Sequence, residues 1–240
     1  MSVRIVKDYY IRRKKKLIED FGKHIKGVRL LFAEKFDDAK LKQILINMKT
    51  EFENLIPEIP YIGGKKNPNT LFLIKGISNL AIFRILEKEG LTYRQIGEFY
   101  YEFIDGFNRI RKKRLEKIGK NPALYPFETE YVNYIKDFAE TSQKRNYPDD
   151  FVFNYVEGDG NSFEWGIDYS ECGLVKLFKK LGATKFMPLL CLSDFSEANI
   201  FGYGFSRTQD LGHGAPMCDH RFIKNSKTPR AWPPENLPEN

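Results

Sequence analysis

The first half of the chain carries apolar residues at three- and four-residue spacing, with Lys and Glu between them. This spacing places apolar side chains on one face of a helix, and it predicts amphipathic helices over residues 5–33 and 38–55. Residues 70–88 are apolar on nearly all sides, which predicts a buried core helix that ends at Gly90. Thr92 and Gln95 have the spacing of a capping box for the next helix, and a further helix is predicted over residues 128–142.

The hydrophobic period changes from about 3.6 to 2 near residue 148. The stretches 151–158 and 163–173 predict two strands joined by the turn "GDGN", which is a hairpin signal. Residues 174–201 return to a helical pattern, and "YGFSRTQDL" and "PMCDHRFIK" alternate again on either side of "GHGA". The predicted fold class is α+β, with a helical N-terminal part followed by a ββαββ module that has an antiparallel sheet.

Composition divides the chain at the same place. Residues 1–148 contain 30 Lys and Arg against 19 Asp and Glu, whereas residues 149–228 contain 8 against 11. We therefore predict a helical N-terminal region over 1–148, an α+β module with the cysteines and the catalytic site over 149–226, and an extended proline-rich tail over 227–240.

The composition also narrows the class of protein. There is no long uninterrupted apolar run and no signal-peptide pattern at the N-terminus, so we expect a soluble cytoplasmic protein with no membrane partner. The basic runs "RRKKK" and "RIRKKR" lack a nucleic-acid-binding motif, and solvated helix faces explain them better than a polyanion site. We therefore predict no nucleic-acid partner, and the sequence leaves homo-oligomerisation open.

The candidate chemistry lies between residues 172 and 221, where all three cysteines occur without a C-x-x-C pair. A strand over 217–223 would place Cys218, His220 and Phe222 on one face and Asp219 and Arg221 on the other. An imidazolium beside Cys218 would lower the pKa of the thiol and make it a nucleophile. A metal ligand and a merely buried thiol are the alternatives, and spacing alone favours burial.

The other candidates lie before and after the last predicted helix. Cys191 and Asp194 share a helix face in "CLSD", where the carboxylate is a base, an orienting group or only a helix cap. Arg207 and Arg221 are candidates for binding a substrate carboxylate, although Arg221 could instead pair with Asp219. His213, between two glycines, either lines the site or is exposed.

Metal and nucleotide chemistry receive little support from the sequence. Cys172, for which a structural role is favoured, and the two other cysteines match no compact zinc spacing. No phosphate-binding loop and no zinc-peptidase motif is present,. We predict no cofactor, while a metal ion bound by Cys and His is left open.

The combined order of "ECG", "CLSD", "SRTQDLGHG" and "CDHRF" resembles the L-2-amino-thiazoline-4-carboxylic acid hydrolase family, over roughly residues 40–224. The resemblance implies hydrolytic opening of a small thiazoline ring by thiol attack or by activated water. It further implies Cys218 or Cys191 as nucleophile, Asp194 as base and Arg207 as the anchor for a substrate carboxylate. His220 is a further catalytic candidate, and Arg221, His213 and Cys172 are candidates for substrate binding.

Two other functions fit the same residues. One is a protein that binds or senses a small molecule without converting it. The other is a different enzyme that acts on a sulfur- or nitrogen-containing small molecule in a biosynthetic pathway. For all three functions the expected partner is a small molecule. For the hydrolase, this small molecule is expected to be a carboxylate.

Overall fold

The computed structural model describes residues 9–32 and 35–234, without the side chains of residues 27, 28 and 30. The helices of the first half are α1 (Lys14–Phe32), α2 (Asp38–Leu55), α3 (Asn69–Lys88), α4 (Tyr93–Lys117) and α5 (Thr129–Gln143). They confirm the predicted helices, except that residues 12 and 13 form a turn that interrupts the first one. Residues 5–8 and 33 of the first prediction lie outside the described residues.

Local signals in the sequence account for the ends of these helices. The Thr92 hydroxyl accepts a hydrogen bond from the Gln95 amide while the Gln95 side chain accepts one from the Thr92 amide, so the predicted capping box starts α4. Gly90 adopts a φ of 87°, a left-handed conformation that glycine adopts without strain,. This residue ends α3, as predicted.

The second half forms one four-stranded antiparallel sheet in the order β1-β2-β4-β3. Its strands are β1 (Val152–Glu157), β2 (Trp165–Glu171), β3 (Gly204–Ser206) and β4 (Cys218–Ile223). Three short helices, α6 (Gly173–Lys180), α7 (Met187–Cys191) and α8 (Ser193–Phe201), connect β2 to β3. The α+β class and the ββαββ order are both confirmed.

Strand β3 is shorter than the alternating pattern predicted. The Asp219 carboxylate accepts hydrogen bonds from the backbone amides of Thr208 and Gln209, each at 2.9 Å. The Asp219 side chain thus binds the backbone N–H groups that would otherwise donate hydrogen bonds to a neighbouring strand,. The chain after Ser206 therefore leaves the sheet and forms the loop that carries Arg207.

The core continues across residue 148. Its largest cluster of buried side chains joins α1–α4 to α6 and α7, and a second cluster packs α5 against the sheet through Ile135, Phe153 and Trp165.

Among the described helices, α3 is the one that is long and apolar enough to cross a membrane. However, 72% of its most apolar stretch is buried inside the protein. It packs as the predicted core helix, and the domain boundary at 148 stays a prediction.

The described part of the tail is extended and packed. The buried Thr228 hydroxyl bridges the Tyr203 carbonyl and the Phe205 amide, at 2.9 and 2.7 Å. The Trp232 ring stacks on Tyr101 of α4. Residues 235–240 of the predicted tail lie outside the described residues.

Candidate active site

Arg207 is the centre of a buried network of charges. Its side chain is only 5% exposed, and its guanidinium lies 3.3 Å from the Asp194 carboxylate and 3.2 Å from the Asp210 carboxylate. It also donates a hydrogen bond to the Cys191 carbonyl at 3.1 Å and covers the Phe195 ring. One cation thus holds the end of α7, the first turn of α8 and the loop after β3 together.

Asp194 is the carboxylate of this network that solvent can reach. Its side chain is 41% exposed, yet the surrounding protein desolvates the charged form. Burial raises the pKa of Asp194 to about 6, a rise that Arg207 opposes and Asp210 reinforces. A carboxyl group with a pKa near the working pH can both accept and return a proton, so Asp194 has the properties of a general base.

The two candidate nucleophiles lie against one short turn. The Cys218 sulfur, at the start of β4, accepts a hydrogen bond from the Leu211 amide at 3.3 Å. A Cβ atom placed on Gly212 would lie 2.7 Å from the Cys191 sulfur. The 3-10 turn Leu211–His213 therefore brings both thiols to the same place as the Arg207 network.

All three thiols are protonated at neutral pH. Burial raises the pKa of Cys218 to about 11 and that of Cys191 well above its usual value, and the positive charge of Arg207 only partly offsets both shifts. Burial also raises the pKa of Cys172, with Cys218 and Asp194 adding to the rise. The expectation of a thiol pKa lowered by a nearby imidazolium is wrong, because His220 is neutral.

His220 shares the Cys218 face of β4, as the alternation predicted. Its ring lies edge-on between Tyr169 and Phe205, with centroids 5.3 and 5.2 Å away, and its Nε2 atom is 3.9 Å from the Asp194 carboxylate. Burial, with a further contribution from the charge of Arg207, lowers the pKa of His220 to about 3. The neutral imidazole can orient Asp194 or a water molecule beside it.

Arg221 lies outside this cluster of groups, and His213 lies at its exposed edge. Arg221 is on the opposite face of β4, where its guanidinium is 2.7 Å from Asp168. The suggested pair with Asp219 is wrong, because the Asp219 carboxylate turns away to bind the loop amides. His213 is mostly exposed and contacts Asp210 at 2.8 Å.

Asp210 is a site residue that the sequence reasoning missed. It starts the turn Leu211–His213 by accepting a hydrogen bond from the His213 amide, and it binds Arg207 from three residues away. The sequence signal that could have identified it is the three-residue spacing between Arg207 and Asp210 in "RTQD", just before the two glycines. Asp210 neutralises Arg207 and fixes the turn that contacts both thiols.

No metal centre is built from these groups. Within residues 9–32 and 35–234, no set of three or more His, Cys, Asp or Glu side chains has the arrangement needed to hold a metal ion. The described residues therefore provide no set of ligands for the Cys- and His-bound metal ion that the sequence left open.

The tight turn gives a testable consequence for Gly212. An alanine there would place its Cβ 2.7 Å from the Cys191 sulfur and 3.0 Å from an Asp210 oxygen. We expect Gly212→Ala to lower the free energy of unfolding by about 1–3 kcal/mol, the usual cost of overpacking. Gly106→Ala is the matched control, because its Cβ would meet nothing within 4 Å inside α4, and it should stabilise by about 0.5–1 kcal/mol. Urea unfolding measures both, and equal stabilities would contradict the tight contact.

Comparison with known proteins identifies the family. The sequence profile of the L-2-amino-thiazoline-4-carboxylic acid hydrolase family matches residues 73–222, which is more than half of the chain and includes Asp194, Arg207 and all three cysteines. No curated protein and no solved structure gives a match. The resemblance predicted over roughly residues 40–224 is confirmed over residues 73–222, and the chain belongs to the L-2-amino-thiazoline-4-carboxylic acid hydrolase family.

Proposed function

We propose that this protein hydrolyses a small cyclic isothiourea, with 2-amino-thiazoline-4-carboxylate as the first substrate to test. The observation that carries the proposal is the solvent-accessible Asp194 carboxylate, with a pKa of about 6, held 3.3 Å from the guanidinium of Arg207. Family membership gives the class of reaction. The exposed carboxylate of Asp194 supports the proposal, because addition of water to the ring requires a base,.

The reaction adds water to the ring carbon that lies between nitrogen and sulfur. Asp194 takes a proton from the attacking water while the oxygen bonds to that carbon. The carbon–sulfur bond then breaks, and the sulfur leaves with the proton returned by Asp194. The remaining water proton ends on the ring nitrogen as the new carbonyl forms, so the product is an N-carbamoyl cysteine.

Arg207 acts on Asp194 rather than on the reacting atoms. Its guanidinium is bound on two sides by carboxylates and is almost fully buried. A buried ion pair of this kind fixes the orientation of the carboxylate and keeps part of it ionised. We therefore assign Arg207 as a positioning residue, and His220, 3.9 Å from Asp194, as a second one.

Attack by water agrees better with the state of the thiols than attack by sulfur. The thiol of Cys218, with a pKa of about 11, would have to lose its proton to a carboxylate with a pKa of about 6. That transfer is unfavourable by roughly five pKa units, at 1.36 kcal/mol each. The cysteines then line the site, and sulfur attack by Cys218 or Cys191 is the alternative route.

The test is incubation of the purified protein with 2-amino-thiazoline-4-carboxylate in ¹⁸O-water, followed by mass spectrometry. We expect N-carbamoyl cysteine that carries one ¹⁸O atom. Stoichiometric binding without formation of product would contradict the proposed hydrolysis. It would instead favour a protein that binds the small molecule without converting it.

Serine variants distinguish the two routes of attack. For Cys218→Ser and Cys191→Ser we expect rates within about tenfold of the unmodified protein, because water attack does not use the sulfur. A loss of about 10³-fold or more in one variant would assign that thiol as the nucleophile. Trapping of a covalent adduct by mass spectrometry at short times is the independent check.

A further inference from the structure

A second group of charges lies one helical turn along α8 from the proposed base. Asp194 and Glu197 are three residues apart, so they share a side of the helix and are separated by about 4.5 Å along its axis. Glu197 pairs with Arg111 of α4, which also donates a hydrogen bond to the Asn108 side chain at 3.2 Å. The Arg207 network and this second group thus occupy neighbouring positions on one side of α8.

Lys75 supplies an additional positive charge at the second position. It is the one charged residue within the apolar run "TLFLIKGISNLAIF" of α3, and its ammonium lies 4.8 Å from the centre of the Phe107 ring. Across the part of the chain that the structure describes, it forms no ion pair and no hydrogen bond. Burial lowers the pKa of Lys75, the positive charge of Arg111 lowers it further, and the negative charge of Glu197 partly opposes both effects.

The two groups have opposite net charges. Around Asp194, two carboxylates (Asp194 and Asp210) face one guanidinium (Arg207), which leaves a net charge of minus one when both are ionised. Phe107, which the Lys75 ammonium contacts, and Arg111 are four residues apart and share a side of α4,. Lys75 and Arg111 therefore lie near each other, and with Glu197, the partner of Arg111, they leave a net charge of plus one. A half-buried ammonium whose charge is only partly balanced, as that of Lys75 is by Glu197, is stabilised when an anion binds beside it,.

We propose that Lys75, together with Arg111, binds the carboxylate of the substrate, while the amidine end of the ring faces Asp194. This inference rests on the proposed function for the identity of the substrate. A small ring with an amidine at one side and a carboxylate at the other is complementary to the two net charges. Arg207 is less suited to this role, because two carboxylates, Asp194 and Asp210, already face its one positive charge.

The test compares two compounds that differ only in the carboxylate: 2-amino-thiazoline-4-carboxylate and 2-amino-thiazoline. We expect the unmodified protein to prefer the carboxylated compound, and Lys75→Met to reduce that preference about 10- to 100-fold, mostly through KM. Lys75→Arg should keep most of the preference, which separates loss of charge from loss of folding. Lys136→Met is the matched control, because Lys136 also covers an aromatic ring, that of Tyr155, but pairs with Glu157 at the surface.

Two outcomes would overturn the inference: an unmodified protein without preference for the carboxylated compound, or equal weakening of both compounds in Lys75→Met. If neither compound is hydrolysed, calorimetric titration of the same compounds gives their dissociation constants. A carboxylate-dependent affinity that disappears in Lys75→Met would then support the anion site although the proposed hydrolysis had failed.

Discussion

Replacing Arg207 with methionine is expected to lower the free energy of unfolding by about 3–5 kcal/mol at pH 7, the usual cost of removing one partner of a buried ion pair. The side chain is 5% exposed and is the cation that separates Asp194 from Asp210. Without it, two neighbouring carboxylates lie in a partly desolvated site. Urea unfolding measures the loss.

The loss should depend on pH in a defined direction. In the folded variant the pKa of Asp194, already raised to about 6 in the unmodified protein, rises further because the opposing guanidinium is gone. A folded state that holds a proton more tightly than the unfolded state loses stability as pH increases. We therefore expect Arg207→Met to be less destabilising at about pH 5 than at about pH 7.

Arg221→Met is the matched control for this experiment. Arg221 pairs with one carboxylate, that of Asp168, on the outer face of the sheet where both are partly exposed. Such pairs contribute about 0–1 kcal/mol. If the two arginine variants lost the same stability, the Arg207 network would not be the anchor of the site.

Asp194→Asn is expected to reduce kcat/KM for the thiazoline about 10²- to 10⁴-fold, the usual contribution of a general base. Asparagine keeps the shape of the side chain and its contact with Arg207 but cannot accept the proton. Asp168→Asn is the control, since it removes another carboxylate paired with an arginine, on the face of the sheet away from the thiols. An Asp194→Asn variant as active as Asp168→Asn would exclude Asp194 as the base.

The secondary structure was largely predictable because its signals are local. The apolar spacing of α2, the Thr92 capping box of α4 and the turn between β1 and β2 each depend on a few neighbouring residues. The shortened β3 was not predictable, since the Asp219 carboxylate that replaces its hydrogen bonds is about ten residues away along the chain.

Some members of the candidate site were predictable from the sequence, but the ionisation states of its groups were not. Alternation correctly placed Cys218 and His220 on one face of β4, and the resemblance to a family selected Asp194 and Arg207. The pKa of each group, however, depends on burial by distant elements, which a sequence motif does not encode. For the same reason Asp210, Lys75 and Arg111 became candidates only when the loop after β3, α3, α4 and α8 were seen together.

The most direct test of the central claim, that Asp194 is the base, is the pH dependence of kcat/KM, which reports the ionisation of groups in the free protein. From about pH 5 to pH 8, kcat/KM should rise and level off with an apparent pKa of about 6, as Asp194 loses its proton,. The remaining activity of Asp194→Asn should lack this step. A flat profile, or a step near 6 that persists in Asp194→Asn, would contradict the claim.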